Sequence, residues 1–412
     1  MLKNYILPFI LFASYQFGVG QVQSNTPNSM DHNKRMACAL FGAAAGDALG
    51  RITEFIPSRQ EILKKYPHGV SWFGDICPVA LPSGQVGYPY TDDTVMMLIV
   101  LEEVEKNYKQ PEKTIDALAS RFADLFDPEK KYQIDPLYNL RAHGLTNTRS
   151  CLEIGSLIKQ GKSWKDRETS FEKVKRESGC GSVMRVWPIG FFYHNDLEQA
   201  IKVADMQSSI THRNPAARAA CAAAAAGFAT LCNGKSFDEV ATAMICVADR
   251  YNEEERVYKQ DATTFSDSLD QNLKLISQDQ MLTSDMLRHA RWAAENNVLL
   301  GVVLGECNDL QSNYRSFSGA LLGWRADETI AAVLYILLRH KEDFFGALSE
   351  AVNTPGDSDS IASLVGAFSG YAYGLQESLF EREHVLELEN ASRLINFNTC
   401  LPLLRAMAWQ AA

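Results

Sequence analysis

The chain has 412 residues, 46% hydrophobic and 22% charged, the balance of a folded globular protein. Its 40 Lys and Arg stand against 50 Asp and Glu, a formal net charge of −10; this excludes a protein that grips nucleic-acid backbones through a basic surface and suits one that draws in cations. Such a length can bury a sizeable core, in one long domain or in two or three.

At the N-terminus, Lys3 precedes an apolar stretch from Tyr5 to Phe17. Gly18-Val19-Gly20 then places small residues where a signal peptidase inspects them, and polar residues follow from Gln21 to Asn25. Residues 1–20 are expected to be a cleaved secretory signal and 21–33 a flexible segment, with the mature protein exported, periplasmic or secreted. The alternative, a buried first helix, is interrupted by Pro8. The apolar run is too short for a membrane span. No Cys stands just after it to carry a lipid anchor, so no membrane anchor is expected after signal cleavage.

Helical patterns dominate the remainder. From Thr114, the residues Ile115, Leu118, Ala119 and Phe122 recur at helical spacing, and Leu125 and Phe126 continue the same face. Pro215 to Thr230 is rich in Ala and suits close helix contacts, while Ile330 to Leu338 is apolar all round and is expected to be buried on every side. Breaks fall at Pro57 to Pro89, rich in Gly and Pro, and at Asp127 to Pro136. The polar stretch from Tyr251 to Ser284 reads as a surface insertion at 251–284. Alternating strands are absent. The nine cysteines show no C-x-x-C pair and no zinc spacing, and Cys221 in the Ala-rich run reads as a small buried hydrophobe.

Two acidic segments carry the chemistry. Thr91-Asp92-Asp93-Thr94 and Gly356-Asp357-Ser358-Asp359-Ser360 each open an apolar helical pattern, so each can project carboxylates and a hydroxyl from a helix start. Ser, Thr and Asp are also the preferred N-caps, and for either segment alone capping is the simpler reading. Capping needs only one or two such groups, however, and adjacent Asp92 and Asp93 repel each other unless a cation or donors compensate. Four aspartates and two hydroxyls converging on one pocket are hard oxygen donors suited to magnesium or manganese, not zinc. Their convergence requires the two segments to lie side by side, hence one all-α domain over 34–412.

With these segments in view, the chain resembles the ADP-ribosylglycohydrolase family. The matching pieces, in family order, are Gly42 to Gly50 with Glu54; Tyr90 to Thr94; Gly179-Cys180-Gly181-Ser182 running through Arg185 to Gly190; Thr211-His212; and Gly356 to Ala362 with Gly366-Ala367. The resemblance implies an all-α fold, a single orthogonal helical bundle with a binuclear metal cleft. It implies two divalent cations, Mg²⁺ or Mn²⁺, held by Thr91, Asp92, Asp93, Asp357, Asp359 and Ser360. It further implies a hydrolase acting on an ADP-ribose conjugate as a monomer, with Glu54, Asp92, Asp93 and Asp357 in catalysis. Gly179, Cys180, Gly181, Ser182 and His212 would then bind substrate, the glycines admitting a diphosphate to backbone amides and Ser182 offering a hydroxyl.

Some positions depart from or fall outside that pattern. Cys180 stands where the family usually has Asn, which removes a donor, and Pro355 where a glycine is more usual. Asp47, after Gly46, is expected to fix local backbone instead of touching substrate. His212 is equally read as a satisfied histidine before the helix that Pro215 opens. Gly42 to Gly50 is not a dinucleotide fingerprint, and no G-x-S-x-G elbow exists. A non-catalytic ADP-ribose-binding protein, or a metal-dependent phosphatase or nucleotide hydrolase, would use the same acidic residues. Export carries its own test: protein purified from its native host begins near Gln21 by intact mass, and full-length protein in the cytosol overturns the expectation.

Overall fold

Helix starts follow the capping chemistry written into the chain. A computed structural model describes residues 32–56, 58–81, 86–259, 281–298, 300, 322–374 and 387–389. The expected signal, 1–20, lies outside the described residues, as does the 21–33 segment except for His32 and Asn33, which already belong to a helix. The longer helices are α1 (His32–Gly50), α2 (Asp92–Lys106), α3 (Pro111–Phe126), α4 (Leu145–Lys159), α5 (Leu197–Thr211) and α6 (Pro215–Cys232). They continue as α7 (Phe237–Ala248), α8 (Thr283–Glu295), α9 (Ala326–Arg339), α10 (Phe344–Val352) and α11 (Ser358–Tyr373). Thr91, Asp196, Asn214, Ser236 and Asp343 each accept a first-turn amide, and Pro111 and Pro215 occupy the first helical position.

The all-α class is observed. Among the described residues the only paired strands are Val79–Ala80 and Val86–Gly87, a short antiparallel ribbon inside the Gly- and Pro-rich break. From Asp31 onward the chain forms one compact unit. At its centre α6 packs against α5, α7, α9 and α11, and its long run of alanines lets those helices approach closely. By length and hydropathy α6 could cross a membrane, but 89% of it is buried within the bundle. α3 buries Ile115, Leu118, Ala119, Phe122, Leu125 and Phe126, the face its spacing predicts, and α9 buries Ile330 through Leu338.

The ends of the 251–284 stretch each bury residues in the core, although Glu253, Glu254, Arg256 and Val257 face outward. Tyr251, Glu255 and Lys259 are buried, and so are Met281 to Ser284. Lys259 Nζ donates to Asp327 Oδ2 and to the Met281 carbonyl, both at 2.6 Å, which joins the two flanks to the start of α9. An ammonium can be buried in this way because a carboxylate and a carbonyl replace its water. Residues 260–280 lie outside the described residues.

The contact that sets the site is α1 against α11, the most extensive helix pair in the fold. Gly42, Gly46 and Gly50 recur every fourth residue and meet the backbone of Gly366, Ala362 and Asp359. A β-carbon on Gly42 would stand 2.2 Å from the Gly366 carbonyl oxygen, and one on Gly366 2.0 Å from that of Gly42. No side chain fits there, so the backbones touch. Gly42→Ala or Gly366→Ala is expected to cost about 3 kcal/mol, the upper range for overpacking. Gly155→Ala in α4, where the nearest atom is 3.7 Å away, should be neutral or slightly stabilising. Chemical denaturation of the three variants checks the contrast, and equal stabilities would refute the close-approach argument.

Candidate functional site

The α1–α11 contact delivers Glu54 to the second acidic segment. Beyond Gly50 the chain turns and pairs with the start of α11 in a parallel bridge between Glu54 and Gly356: the Phe55 amide donates to Gly356 O at 2.9 Å and the Gly356 amide to Ile56 O at 3.1 Å. Gly356 has φ of 95°, and a β-carbon there would meet Leu322 at 2.4 Å, so glycine is required twice over. Ser358 closes the join, donating to Gly50 O at 2.9 Å while its hydroxyl meets that of Thr53 at the same distance. Phe55 itself lies at φ of 63°, a strained conformation for an aromatic residue, and its ring stacks on Trp324 at 5.1 Å.

Asp47 fixes backbone, but not the local stretch after Gly46 that its sequence suggests: it reaches from α1 to the turn that opens α2. Its Oδ1 accepts from the Thr91 amide at 2.7 Å, and its Oδ2 from the Thr94 amide at 2.9 Å and hydroxyl at 2.6 Å. From the other side, Arg141 donates to the Tyr90 carbonyl and forms ion pairs with Asp135 and Glu389. Its own carbonyl accepts from the Asp92 amide at 2.9 Å. The turn carrying Thr91, Asp92 and Asp93 is thereby fixed before any ligand arrives.

The two acidic segments meet. Thr91 donates to Asp93 Oδ2 at 3.2 Å, and burial raises the Asp359 carboxyl, with neighbouring Asp92 adding to the rise and Asp357 and Thr91 opposing it. All of Thr91, Asp92, Asp93, Asp357, Asp359 and Ser360 are buried. Glu54 is pushed up to about 11, first by burial and then by the charges of Asp359, Asp357 and Asp92. Asp47 rises to about 7 through burial and Asp359, against the donors from Thr91 and Thr94. Asp93 and Asp357 are held well above the usual carboxylate range, burial first and neighbouring aspartates second.

The fit of a divalent ion here rests on the donor set. Asp93 Oδ1 is buried with no hydrogen-bond partner, and the charged neighbours that weigh most on Asp93 are all carboxylates. An unpartnered, unneutralised oxygen among hard donors is what a divalent cation would satisfy. Among the described residues no three His, Cys, Asp or Glu side chains yet close on a single point. The residues fit such an ion by the chemistry of their donors.

The proposed substrate residues divide. Gly179 pairs with Arg325, the Cys180 amide donates to Trp324 O at 3.0 Å, and the Asp357 amide donates to Leu322 O, so one strip, Leu322 to Arg325, carries both the loop and the second acidic segment. Cys180 does not point at a phosphate position: its thiol donates to Asp357 Oδ2 at 2.8 Å and sits 3.8 Å from the Ser360 hydroxyl. Ser182 corrects the sequence expectation. It is fully buried, and its hydroxyl accepts from Ser208 at 3.0 Å and from the Cys221 thiol at 3.3 Å, because the short 3₁₀ turn over Cys180–Ser182 directs it into the core. Gly181 has no room for a side chain, since a β-carbon would meet Asn147 at 2.5 Å. His212 lies buried under Gly179, bonded to the Thr211 hydroxyl at 2.8 Å, and burial with Arg185 and Arg167 nearby drives it well below its ordinary value. It is a neutral imidazole supporting the loop.

Three residues escaped the sequence reading. Asn147 on α4 points Nδ2 at Asp92 Oδ2 at 3.5 Å and accepts from Arg185 at 3.0 Å. Arg185 is fully buried, bonded also to Gln207 and Thr211, and burial drives it down to about 10. His143 lies 3.6 Å from Asp92 Oδ2, and both its ring nitrogens are buried without hydrogen bonds. Only Arg185 had a motif to mark it. The other two come from α4 and the turn before it, where nothing in the local sequence signals a site.

A cleft of about 530 Å³ opens on the outer side of Glu54, lined among others by Arg51, Phe55, Lys65, Tyr66 and Cys77. Fold and site together define an all-α protein that buries carboxylates from both ends of the chain beside Glu54, which also lines the cleft. The chain belongs to the ADP-ribosylglycohydrolase family, whose model matches residues 28–401. This is a family of glycohydrolases of ADP-ribose conjugates, generally dependent on divalent metals. The chain is 26% identical over 356 residues to an uncharacterized protein of Archaeoglobus fulgidus, covering 85% of this chain and 92% of that one. Its fold resembles a solved structure described as an ADP-ribosylglycohydrolase-related protein complex, with a TM-score of 0.51 and 18% identity, covering 90% of this chain and 97% of that one.

The raised carboxyls fix the sign of a pH effect. An acid whose pKa is higher folded than unfolded stabilises the fold below its unfolded value and loses that contribution as pH rises through the folded one. For Asp47 the window runs from 3.8 to about 7, and Asp93 and Asp357 act in the same direction. Chelator-treated protein should therefore melt lower at pH 8 than at pH 5. Mn²⁺ at a hundred times its Kd should restore about 3 °C at pH 8. Asp93→Asn should raise the metal-free melting temperature at pH 8 and abolish the Mn²⁺ response; scanning calorimetry decides, and a variant that keeps the full response refutes the assignment.

Proposed function

We propose that this protein is a divalent-cation-dependent hydrolase that cleaves the glycosidic bond between ADP-ribose and a modified protein or small conjugate, N- or O-linked, releasing ADP-ribose outside the cytoplasm. The observation that carries this reading is the pairing of Glu54 with Gly356, which holds one carboxyl beside Asp357, Asp359 and Asp92 at the edge of an open cleft.

Thr91, Asp92, Asp93, Asp357, Asp359 and Ser360 would hold two cations, Mg²⁺ or Mn²⁺. When bound, the cations neutralise the aspartates and orient ribose hydroxyls and a water. The chain's own residues supply the rest. Glu54 exchanges a proton at its carboxyl, giving it to the departing nitrogen or oxygen or taking one from water. The bond from the anomeric carbon breaks with its electron pair going to the departing atom, which gains a proton. Water oxygen bonds to that carbon and loses a proton. Surrounding carboxylates stabilise the positive charge that develops on the sugar. The buried Arg185–Asn147 pair holds Asp92 in place from behind.

A phosphatase reading has less support, since Asp357 follows α10 and a short turn, not a buried strand. The test is release of free ADP-ribose from defined conjugates. Asp92→Ala, Asp93→Ala, Asp357→Ala and Asp359→Ala should each abolish cation-dependent turnover with helical circular dichroism unchanged, and Glu54→Gln should lower kcat by about 10²–10⁴-fold. Wild-type rates in all four aspartate variants would sink the proposal.

A further inference from the structure

We propose that the cleft outside Glu54 is the leaving-group subsite and that it selects conjugates whose departing group carries an anion, a carboxylate or a phosphate, over cationic ones. This rests on the hydrolase reading and deepens it. Glu54 is the one residue shared by the acidic centre and this cleft, so a sugar held at the centre presents its departing atom at Glu54. The loop at Gly179 to Ser182 and His212 contributes nothing to the cleft lining, and the stacked Phe55 and Trp324 rings stand by the strip that carries that loop. With the acidic centre on one side of Glu54, the cleft on its other side is left for whatever departs.

The chemistry of the cleft follows from its charges. Arg51 and Lys65 both line it, and neither has a carboxylate partner among the described residues; Lys65 only rests 5.3 Å from the Tyr66 ring. The two acids of the lining are engaged elsewhere. Asp75 Oδ2 accepts from the Ser71 amide and hydroxyl, both at 2.7 Å, and from the Trp72 amide at 3.1 Å, while Glu54 belongs to the acidic centre. Ile52, Tyr66, Ile76 and Leu140 supply an apolar wall, and the volume of about 530 Å³ is that of a small-ligand site. Two free cations on an apolar wall recognise an anion with some carbon attached, and they repel a guanidinium.

Cys77 makes the cleft readable without turnover, since it is a free, exposed thiol of the lining, and Cys246 on α7 is a second exposed thiol outside it. Wild-type protein in excess Mg²⁺ is alkylated with iodoacetamide, and the rate at each thiol is followed by peptide mass spectrometry. Phenyl phosphate, benzoate, benzamidine and ADP-ribose are added in separate arms. The expected result is protection of Cys77, not Cys246, by phenyl phosphate or benzoate, with the stronger of the two identifying the anion, and no protection by benzamidine. Arg51→Gln and Lys65→Gln should each raise the half-protecting concentration about tenfold, the equivalent of one charge-assisted contact. Protection by benzamidine equal to that by the anions overturns the charge selection. Protection by ADP-ribose at lower concentration than either anion overturns the leaving-group assignment, because the nucleotide then fills the cleft. Absence of protection by both anions overturns the subsite. Labelling reads the cleft whether or not a conjugate is hydrolysed, so failure here and failure of the hydrolase reading are told apart.

Discussion

Carboxylates buried side by side, with no described cation paired to most of them, are the condition around which this fold is arranged. Each ion taken from water costs several kcal/mol unless something replaces its hydration, and neighbours of like sign add to that cost. The protein answers in two ways. Asp47 is supplied with three donors from the Thr91 to Thr94 turn, so its burial strengthens the backbone. Asp93 keeps an oxygen with no donor at all. That difference separates an acid that holds the structure from one that the proposed cation would satisfy.

Holding such groups together requires a rigid frame, and the frame is made of backbone. Where Gly42 and Gly366 let α1 and α11 touch, no side chain can flex to relieve the repulsion between the segments they carry. The strip from Leu322 to Arg325 adds a second constraint, bonding Asp357 on one side and Cys180 on the other. The Cys180 thiol then packs against Asp357, so a residue that departs from the family pattern bonds directly to the acidic centre.

The acidic segments and the helix starts were legible because each depends on residues close in sequence; Asp47 was legible only as a backbone anchor, since the turn it holds, Thr91 to Thr94, lies 44 to 47 residues away. Hard oxygen donors at a helix start and apolar residues at helical spacing are local patterns, and they survive into the fold unchanged. Ser182 was misread because a hydroxyl beside glycines looks like a ligand donor until the 3₁₀ turn shows which way it faces. His143 and Asn147 were invisible because their nearness to Asp92 arises from the packing of α4, not from any neighbour along the chain. The flanks of 251–284 were polar for a reason composition cannot show: Lys259 is a buried partner of Asp327, not a solvated lysine.

The bridge between Glu54 and Gly356 closes a loop of about 300 residues, nearly the whole folded chain. Entropy of closure grows only with the logarithm of length, so the join is affordable at equilibrium, but contacts so distant in sequence form late and slowly. During synthesis, the first acidic segment emerges long before the second exists. A growing or clipped chain that stops short of Asp357 therefore presents a half-site. On the hydrolase reading, activity would arrive only with the last part of the chain, which would make completion of folding and competence for chemistry a single event.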